Sequence, residues 1–260
     1  MPKISAVIIT FNEEKYIERC ITSLEGTADE IVVVDSFSTD KTEEICGKLG
    51  VKFSKHKFEG YVEQKNYALS LAAFPWVLSL DADEALGDES RKSILEIKDD
   101  PKYDGYIFNR LNNYCGKWIR HSRWYPDRHL RLFNPAKGAW TGPNPHDKFI
   151  LSSGSKAKRL KGDILHLNYE SIDEHVDKVN RFSTISAKEL FRAGRKAGPL
   201  TAHLHMGWCF FRSYFLYAGF LDGYFGYVGC MITAMGSYLK YAKLRKLIIQ
   251  AKQAKNNNGF

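Results

Sequence analysis

Asp81 and Asp83 stand on alternate residues directly after the apolar run Trp76-Val77-Leu78-Ser79-Leu80. Such a run, entered through Phe74-Pro75, reads as a buried parallel strand. Open α/β sheets bind ligands outside the carboxyl ends of their strands. A D-x-D pair there can share one hard divalent cation and one polyol. A Mg²⁺ or Mn²⁺ ion so held takes oxygen ligands and keeps substrate phosphates in its shell, so a diphosphate is the matching ligand. Taken alone the pair is weak, because a solvated turn has the same spacing. Other polar groups close other apolar runs. Thr10, Asn12 and Glu13 follow Ile4, Ala6, Val7, Ile8 and Ile9, and Asp35 ends Ile31-Val32-Val33-Val34. Asn12 can equally cap a helix, and Asp35 can equally close a turn.

Several elements must hold these groups in place. Residues 3–10 read as a first strand. Ile17, Cys20, Ile21 and Leu24 then recur at i, i+3, i+4 and i+7, one face of a helix. The second strand ends at Asp35, and Asp40 with Glu43 opens a helix through Leu49. Residues 51–54 form a short strand, 61–71 a helix and 76–80 a fourth strand. This alternation predicts a mostly parallel sheet. Right-handed crossovers place Thr10, Asp35 and Asp81 along one edge of it. Beyond Asp83 come a helix over 88–98, strand-like pieces at 106–111 and 129–133, a basic, Trp-containing loop over 117–128 and an irregular stretch at 138–145. A strand follows at 164–167. Ser171-Ile172-Asp173-Glu174 is a capping box that opens a helix carrying Val176, Val179, Phe182 and Leu190.

With 260 residues the chain can bury a full core. Its net charge of +8 points to an anionic partner: a nucleotide, a phosphorylated glycan, a nucleic acid or a membrane surface. The five scattered cysteines include no C-x-x-C pair, so neither a zinc site nor a disulfide framework is indicated, and a reducing, cytosolic setting fits. Met1-Pro2-Lys3-Ile4 runs straight into the strand pattern without signal-peptide architecture. Residues 205–238 are crowded with Trp, Phe, Tyr, Gly and Met. Lys240, Lys243, Arg245, Lys246, Lys252 and Lys255 then follow without an acid. Arg212 and Asp222 interrupt any long apolar run, so an interfacial anchor is expected rather than a spanning helix. A packing appendage with a solvated tail is the alternative. The expected division is a catalytic domain over 1–198 and a helical, membrane-interfacial segment over 199–260.

Taken together, these segments resemble glycosyltransferase family 2, the inverting enzymes of the GT-A fold. The likeness rests on Val7-Ile8-Ile9-Thr10-Phe11-Asn12-Glu13-Glu14, Ile31-Val32-Val33-Val34-Asp35-Ser36-Phe37-Ser38-Thr39-Asp40, Gln64-Lys65-Asn66 and Leu78-Ser79-Leu80-Asp81-Ala82-Asp83-Glu84, in that order. Gly142, His146-Asp147 and His166 match the family's glycine loop, base motif and C-terminal histidine. Asp222-Gly223-Tyr224-Phe225-Gly226 extends the likeness to the bacterial lipopolysaccharide core β-glucosyltransferases. The resemblance implies an α/β GT-A fold, a Rossmann-like, mostly parallel sheet flanked by helices, with a C-terminal helical, aromatic-rich appendage.

The resemblance also implies roles. Thr10, Asn12, Glu13 and Asp35 would locate the base and ribose of a UDP-sugar, with Asp35 accepting from the uracil N–H. Asp81 would bind ribose hydroxyls. Asp83 would ligate Mg²⁺ or Mn²⁺, and His166 would be a further protein contact to the ion. Lys65 would neutralise part of the diphosphate, or sit on a solvated helix face. Asp147 would be the general base for the acceptor hydroxyl, or pair with Lys148 or a surface Arg. Arg128 belongs to a basic stretch with Lys117, Arg120, His121, Arg123, His129 and Arg131, which can close over the donor diphosphate or read phosphates on an anionic glycolipid. Trp118, Trp124 and Trp140 can stack on sugar rings or pack in a core. The expected activity is transfer of a sugar, glucose foremost, to an envelope glycolipid or polysaccharide such as lipopolysaccharide inner core, on the cytoplasmic face of the inner membrane. A polyprenyl-phosphate acceptor keeps the same fold. A non-catalytic membrane-surface scaffold is opposed by the intact Asp81, Asp83, Asp147 and His166. No G-x-G-x-x-G follows the first strand and no G-x-x-x-x-G-K-[ST] occurs, which argues against dinucleotide and P-loop enzymes. No nucleic-acid module is present.

Overall fold

The computed structural model describes residues 2–142 and 147–257. The expectations placed on His146 and on 143–145 lie outside the described residues. The chain forms two compact units, Met1–Leu111 with Asp127–Leu167, and Asn112–Pro126 with Asn168–Phe260.

In the first unit, strands β1 (Ile4–Thr10), β2 (Glu30–Asp35), β3 (Lys52–Lys55) and β4 (Trp76–Asp81) alternate with helices α1 (Ile17–Ser23), α2 (Thr42–Lys48) and α3 (Tyr61–Ser70). All three pairings among these strands are parallel, in the order β3-β2-β1-β4. Next along the chain are β5 (Glu84–Leu86), helix α4 (Asp88–Lys98) and β6 (Gly105–Tyr114). A short strand β7 (Lys117–Ile119) precedes β8 (Asp127–Phe133), the hairpin strands β9 (Gly138–Thr141) and β10 (Lys148–Leu151), and β11 (Ala157–Tyr169). The sheet continues from β4 through β8, β6, β11 and β5, with β8 antiparallel to both β4 and β6. The stretch expected to be irregular at 138–145 therefore begins with a strand. Trp140 turns inward there and packs on Phe133 and Phe149.

Strand alternation divides the core in two. Ile4, Ala6 and Ile8 of β1, Val33 of β2, and Leu78 and Leu80 of β4 meet Ile17, Cys20, Ile21, Cys46 and Ile94 on one face. Val7, Val32, Val34 and Val77 meet Ala68 of α3 together with Phe133, Trp140 and Phe149 on the other. The register pairs Thr10 with Asp35, and Ile9 with both Val34 and Asp81. Asp81 therefore projects from the α3 face, while Thr10 and Asp35 project from the opposite one.

The second unit holds the end of β6, paired with β7 (Asn112 opposite Ile119), and three helices. These are α5 (Ile172–Arg192), α6 (Thr201–Phe211) and α7 (Gly223–Asn257); a π-helical turn over Arg212–Leu216 and a 3₁₀ turn over Gly219–Asp222 separate the last two. Both α5 and α6 pack on α7. The composition boundary expected at 198 falls inside this unit, because α5 joins α7 here. The capping box forms: Ser171 Oγ accepts from Glu174 N at 3.1 Å. The Glu174 carboxylate reaches back one residue further than the motif prescribes, to Glu170 N at 2.9 Å.

Asp222-Gly223-Tyr224-Phe225-Gly226 is explained by packing. The Asp222 carboxylate accepts from the backbone N–H of Arg120 at 3.1 Å and of His121 at 2.9 Å. A Cβ on Gly226 would lie 2.2 Å from the Gly219 carbonyl oxygen, so only glycine permits the approach. Trp124, a candidate for sugar stacking, instead packs with Tyr114, Tyr169 and His175.

Candidate active site

The strand order β3-β2-β1-β4 reverses direction between β1 and β4, with α3 against one face and α1 and α2 on the other. A crevice at the carboxyl ends of two such strands is where α/β sheets take ligands. A cavity of about 540 Å³ opens there. Ile9, Thr10, Phe11 and Glu13 line it from β1 and the loop after it, and Ser36 from the loop after β2. Phe58, Tyr61 and Gln64 line it from the start of α3 and the loop before it. Asp81, Ala82 and Asp83 come from the end of β4, and His166 from β11.

The acids sit in a chain of buried ion pairs. Lys65 Nζ on α3 lies 3.1 Å from Asp81 Oδ1 and 2.8 Å from Asp147 Oδ2. Its side chain is 6% exposed and that of Asp147 9%. The Lys65 ammonium also lies 4.5 Å from the centre of the Trp140 ring. Arg131 of β8 is 3.2 Å from Asp81 Oδ2 and 2.6 Å from Glu84 Oε1. Glu84 Oε2 accepts from the Asp81 backbone N–H at 3.0 Å, closing the turn that carries the D-x-D pair. Arg110 joins Glu84 to Asp127.

Burial alone would raise the Asp81 carboxyl, but Lys65 and Arg131 hold it far below the usual carboxylate range. Unit charges this close attract by several kcal/mol even at an effective dielectric constant of about 20, so attraction wins. Burial likewise opposes the charge on Arg131, and Glu84 and Asp81 more than restore it. Beneath the acids, burial and the charges of Glu84, Asp83 and Asp81 push the Cys20 thiol well up, so it stays protonated.

Asp83 and His166 meet at the cavity wall, with His166 Nε2 3.1 Å from Asp83 Oδ2. They supply one oxygen and one nitrogen donor. No group of three or more His, Cys, Asp or Glu among the described residues is arranged to hold a metal. A cation here would therefore take its remaining ligands from phosphate and water, the usual habit of Mg²⁺ in nucleotide sites.

The remaining expected residues divide. Thr10 Oγ1 is buried at the cavity with no hydrogen-bond partner among the described residues, and Glu13 lines the cavity. Asp35 is fully buried and does not line it. Both its oxygens accept from Ser38, from N–H at 2.8 Å and from the hydroxyl. Asn12 caps no helix. Its backbone N–H donates to Ser38 Oγ at 2.8 Å, and its Oδ1 accepts from Thr39 N at 2.8 Å. Asn12 (φ 55°) and Phe37 (φ 64°) both adopt the left-handed backbone, which Asn tolerates and Phe seldom does. Asn12 and Asp35 thus build the loops beside the crevice. Arg128 is exposed on β8 opposite Asn109 and does not line the cavity. Trp140 lies in the core.

Sequence reasoning missed the aromatic wall. Phe58 and Tyr61 form an edge-to-face pair with centroids 5.1 Å apart, and both are exposed at the cavity with Phe11. It also missed the buried roles of Gln64 and Glu84. Gln64 donates to Ser36 Oγ at 3.0 Å and meets His56 Nδ1 at 2.9 Å, which fixes the wall.

Residues 5–154 match the family described as Glycosyl transferase family 2. The chain belongs to glycosyl transferase family 2. Its mixed sheet, parallel over β3-β2-β1-β4 and flanked by helices, is the α/β arrangement expected of that membership. An uncharacterized glycosyltransferase of Rickettsia bellii is 35% identical over 97% of this chain and 89% of its own length. The lipopolysaccharide core biosynthesis glycosyltransferase LpsC of Rhizobium meliloti is 30% identical over 94% of this chain and 93% of its own. Among solved structures, S. aureus TarS aligns over 97% of this chain and 92% of that one, with 18% identity and a TM-score of 0.46. The family 2 match ends before His166, whereas the similarity to the Rickettsia and Rhizobium proteins runs on beyond it.

Proposed function

We propose that the protein moves a sugar, glucose foremost, from a UDP-sugar to a hydroxyl of an envelope glycolipid such as lipopolysaccharide inner core, with inversion at the anomeric carbon. The observation that carries this reading is the Asp83–His166 pair at the cavity wall, beside Asp81 at the β1–β4 switch point. Family membership supports glycosyl transfer, and the part of the LpsC relative in lipopolysaccharide core biosynthesis supports the acceptor class.

The nucleobase lies against Phe11, Phe58 and Tyr61, the apolar wall of the crevice. Thr10 Oγ1, which has no partner among the described residues, hydrogen-bonds the nucleoside. Asp81 retains lone pairs beyond those facing Lys65 and Arg131, and these accept from ribose hydroxyls. Asp83 and His166 would hold a divalent cation, Mg²⁺ or Mn²⁺. When bound, such a cation would neutralise the charge that develops on the leaving diphosphate. Lys65 adds a second positive charge beside that group. Asp147 takes the proton of the acceptor hydroxyl as its oxygen bonds to the anomeric carbon; the bond from that carbon to the phosphate oxygen breaks, and UDP departs. Lys65, shared between the two carboxylates, holds Asp147 beside Asp81 next to the crevice.

Transfer from UDP-glucose to purified inner-core acceptor tests this reading, with UDP-N-acetylglucosamine and a polyprenyl phosphate as competing substrates. Asp147→Asn is expected to lower kcat by roughly a hundredfold or more with donor affinity kept, the range for a general base. Unchanged turnover in that variant removes Asp147 from the mechanism. Transfer to the polyprenyl phosphate alone replaces the acceptor.

A further inference from the structure

Helix α6 is apolar on both faces. Ala202 is buried on the side that packs on α7, while Leu204, Trp208 and Phe211 face outward, and Phe215 on the π-helical turn continues their line. These four recur at steps of four, three and four residues, the spacing of a single helical stripe. Their exposures are 69%, 56%, 46% and 53%. A helix of a water-soluble unit turns such a stripe to its core. Here the stripe faces out, and Leu216 and Leu221 extend it round the bend that follows.

The charge of the same segment indicates what covers it. Residues 199–260 contain seven Lys and Arg and a single acid, Asp222, whose carboxylate is engaged by Arg120 and His121. Arg245 and Lys246 of α7 line a groove of about 420 Å³ with Ala202 and His203 of α6, and neither is paired with a carboxylate among the described residues. No single helix among the described residues is long and apolar enough to cross a membrane. Thr201–Leu216 and Gly219–Ala254 reach that composition only together, and they are bent by 72°. One free apolar face beside unpaired cations is the form of a helix that lies in a membrane interface rather than across it.

We propose that the outward face of α6 docks in the plane of a lipid leaflet containing anionic phospholipid. Leu204, Trp208, Phe211 and Phe215 enter the acyl-chain boundary, and Arg245 and Lys246 take lipid phosphates in the adjoining groove. Electrostatic attraction and apolar burial then act together, as stable interfacial binding requires. The proposal stands independently of the donor chemistry.

The full chain is sedimented with vesicles of phosphatidylcholine, alone and mixed with phosphatidylglycerol. Binding is expected to the mixed vesicles, to weaken as salt is raised, and to fall roughly tenfold or more in Leu204→Glu/Trp208→Glu and in Arg245→Glu/Lys246→Glu. Trp208 fluorescence, isolated by comparison with Trp208→Phe, is expected to be quenched by lipids brominated on the acyl chain; this readout needs no charged variant to fold. Equal binding to both vesicle types, absence of quenching, or wild-type binding by folded Leu204→Glu/Trp208→Glu overturns the proposal. A lipid-free dimer abolished by Leu204→Glu/Trp208→Glu also overturns it and assigns the stripe to a second copy of the chain.

Discussion

Asp81 stays ionised in a partly buried position because Lys65 and Arg131 flank it, and Arg131 in turn is held by Glu84. Each member of this chain depends on the next. Removing one partner of a buried pair leaves an uncompensated charge, which costs far more than the pair itself contributes. Arg131→Met is therefore expected to lower unfolding stability by up to about 3 kcal/mol in urea titrations, because the buried Glu84 carboxylate is left with Arg110 alone, at 3.6 Å. The double variant Arg131→Met/Glu84→Gln should recover part of that loss; a single variant as stable as the wild type would show that the clamp is unimportant. The acids of this site were legible in the sequence because a D-x-D pair closes a strand pattern. Their pairing with Lys65 and Arg131 was not. Lys65 arrives from a helix and Arg131 from a strand 50 positions beyond Asp81, and no local spacing joins them. Asp35 takes up the turn-closing role that its position also allowed. It closes its strand as expected, but side-chain alternation sends it to the other face, where Ser38 occupies it.

At the scale of elements, α5 offers two tests. Ser171 caps its first turn, and Ser171→Ala is expected to cost about 1 kcal/mol by thermal or urea unfolding, as lost N-caps do. No measurable change would mean that tertiary packing alone sets where the helix begins. His175, in the second turn, is buried against Trp124 and Tyr169 and meets Tyr114 Oη at 3.1 Å. Burial, reinforced by the nearby Lys178 charge, lowers its pKa to about 4 from an ordinary 6.5. Between those values the unfolded chain binds the proton and the folded chain does not. The stabilising contribution is thus complete above about pH 6.5 and is lost as pH falls toward 4. His175→Phe should flatten the dependence of Tm on pH across that window; an unchanged slope would assign it to other groups. The capping box was readable in the sequence because it is local. The pairing of α5 with α7 was not, since composition changes near 198 whereas packing joins the helices on either side of that point.

Over the whole molecule, the parallel half of the sheet was legible from alternating strand and helix patterns. The continuation through antiparallel β8 and β6, and on to β11 and β5, was not, because isolated apolar runs do not reveal strand direction. The crevice follows from topology: the order β3-β2-β1-β4 leaves a gap between the connections of β1 and β4, and the D-x-D pair ends at it. Its aromatic wall could not be foreseen, since exposure of Phe58 and Tyr61 depends on how the loop before α3 folds. The central claim is that Asp83 and His166 form the cation seat of a nucleotide-sugar site. Calorimetric titration of UDP with and without Mn²⁺, on wild type and Asp83→Ala, tests it most directly. Asp83 is partly exposed, so its truncation leaves the fold intact. The expected result is UDP binding roughly tenfold or more tighter with Mn²⁺ in the wild type, and no effect of Mn²⁺ in the variant. Equal Mn²⁺ enhancement in both proteins, or no binding of UDP by the wild type under any condition, would contradict the account.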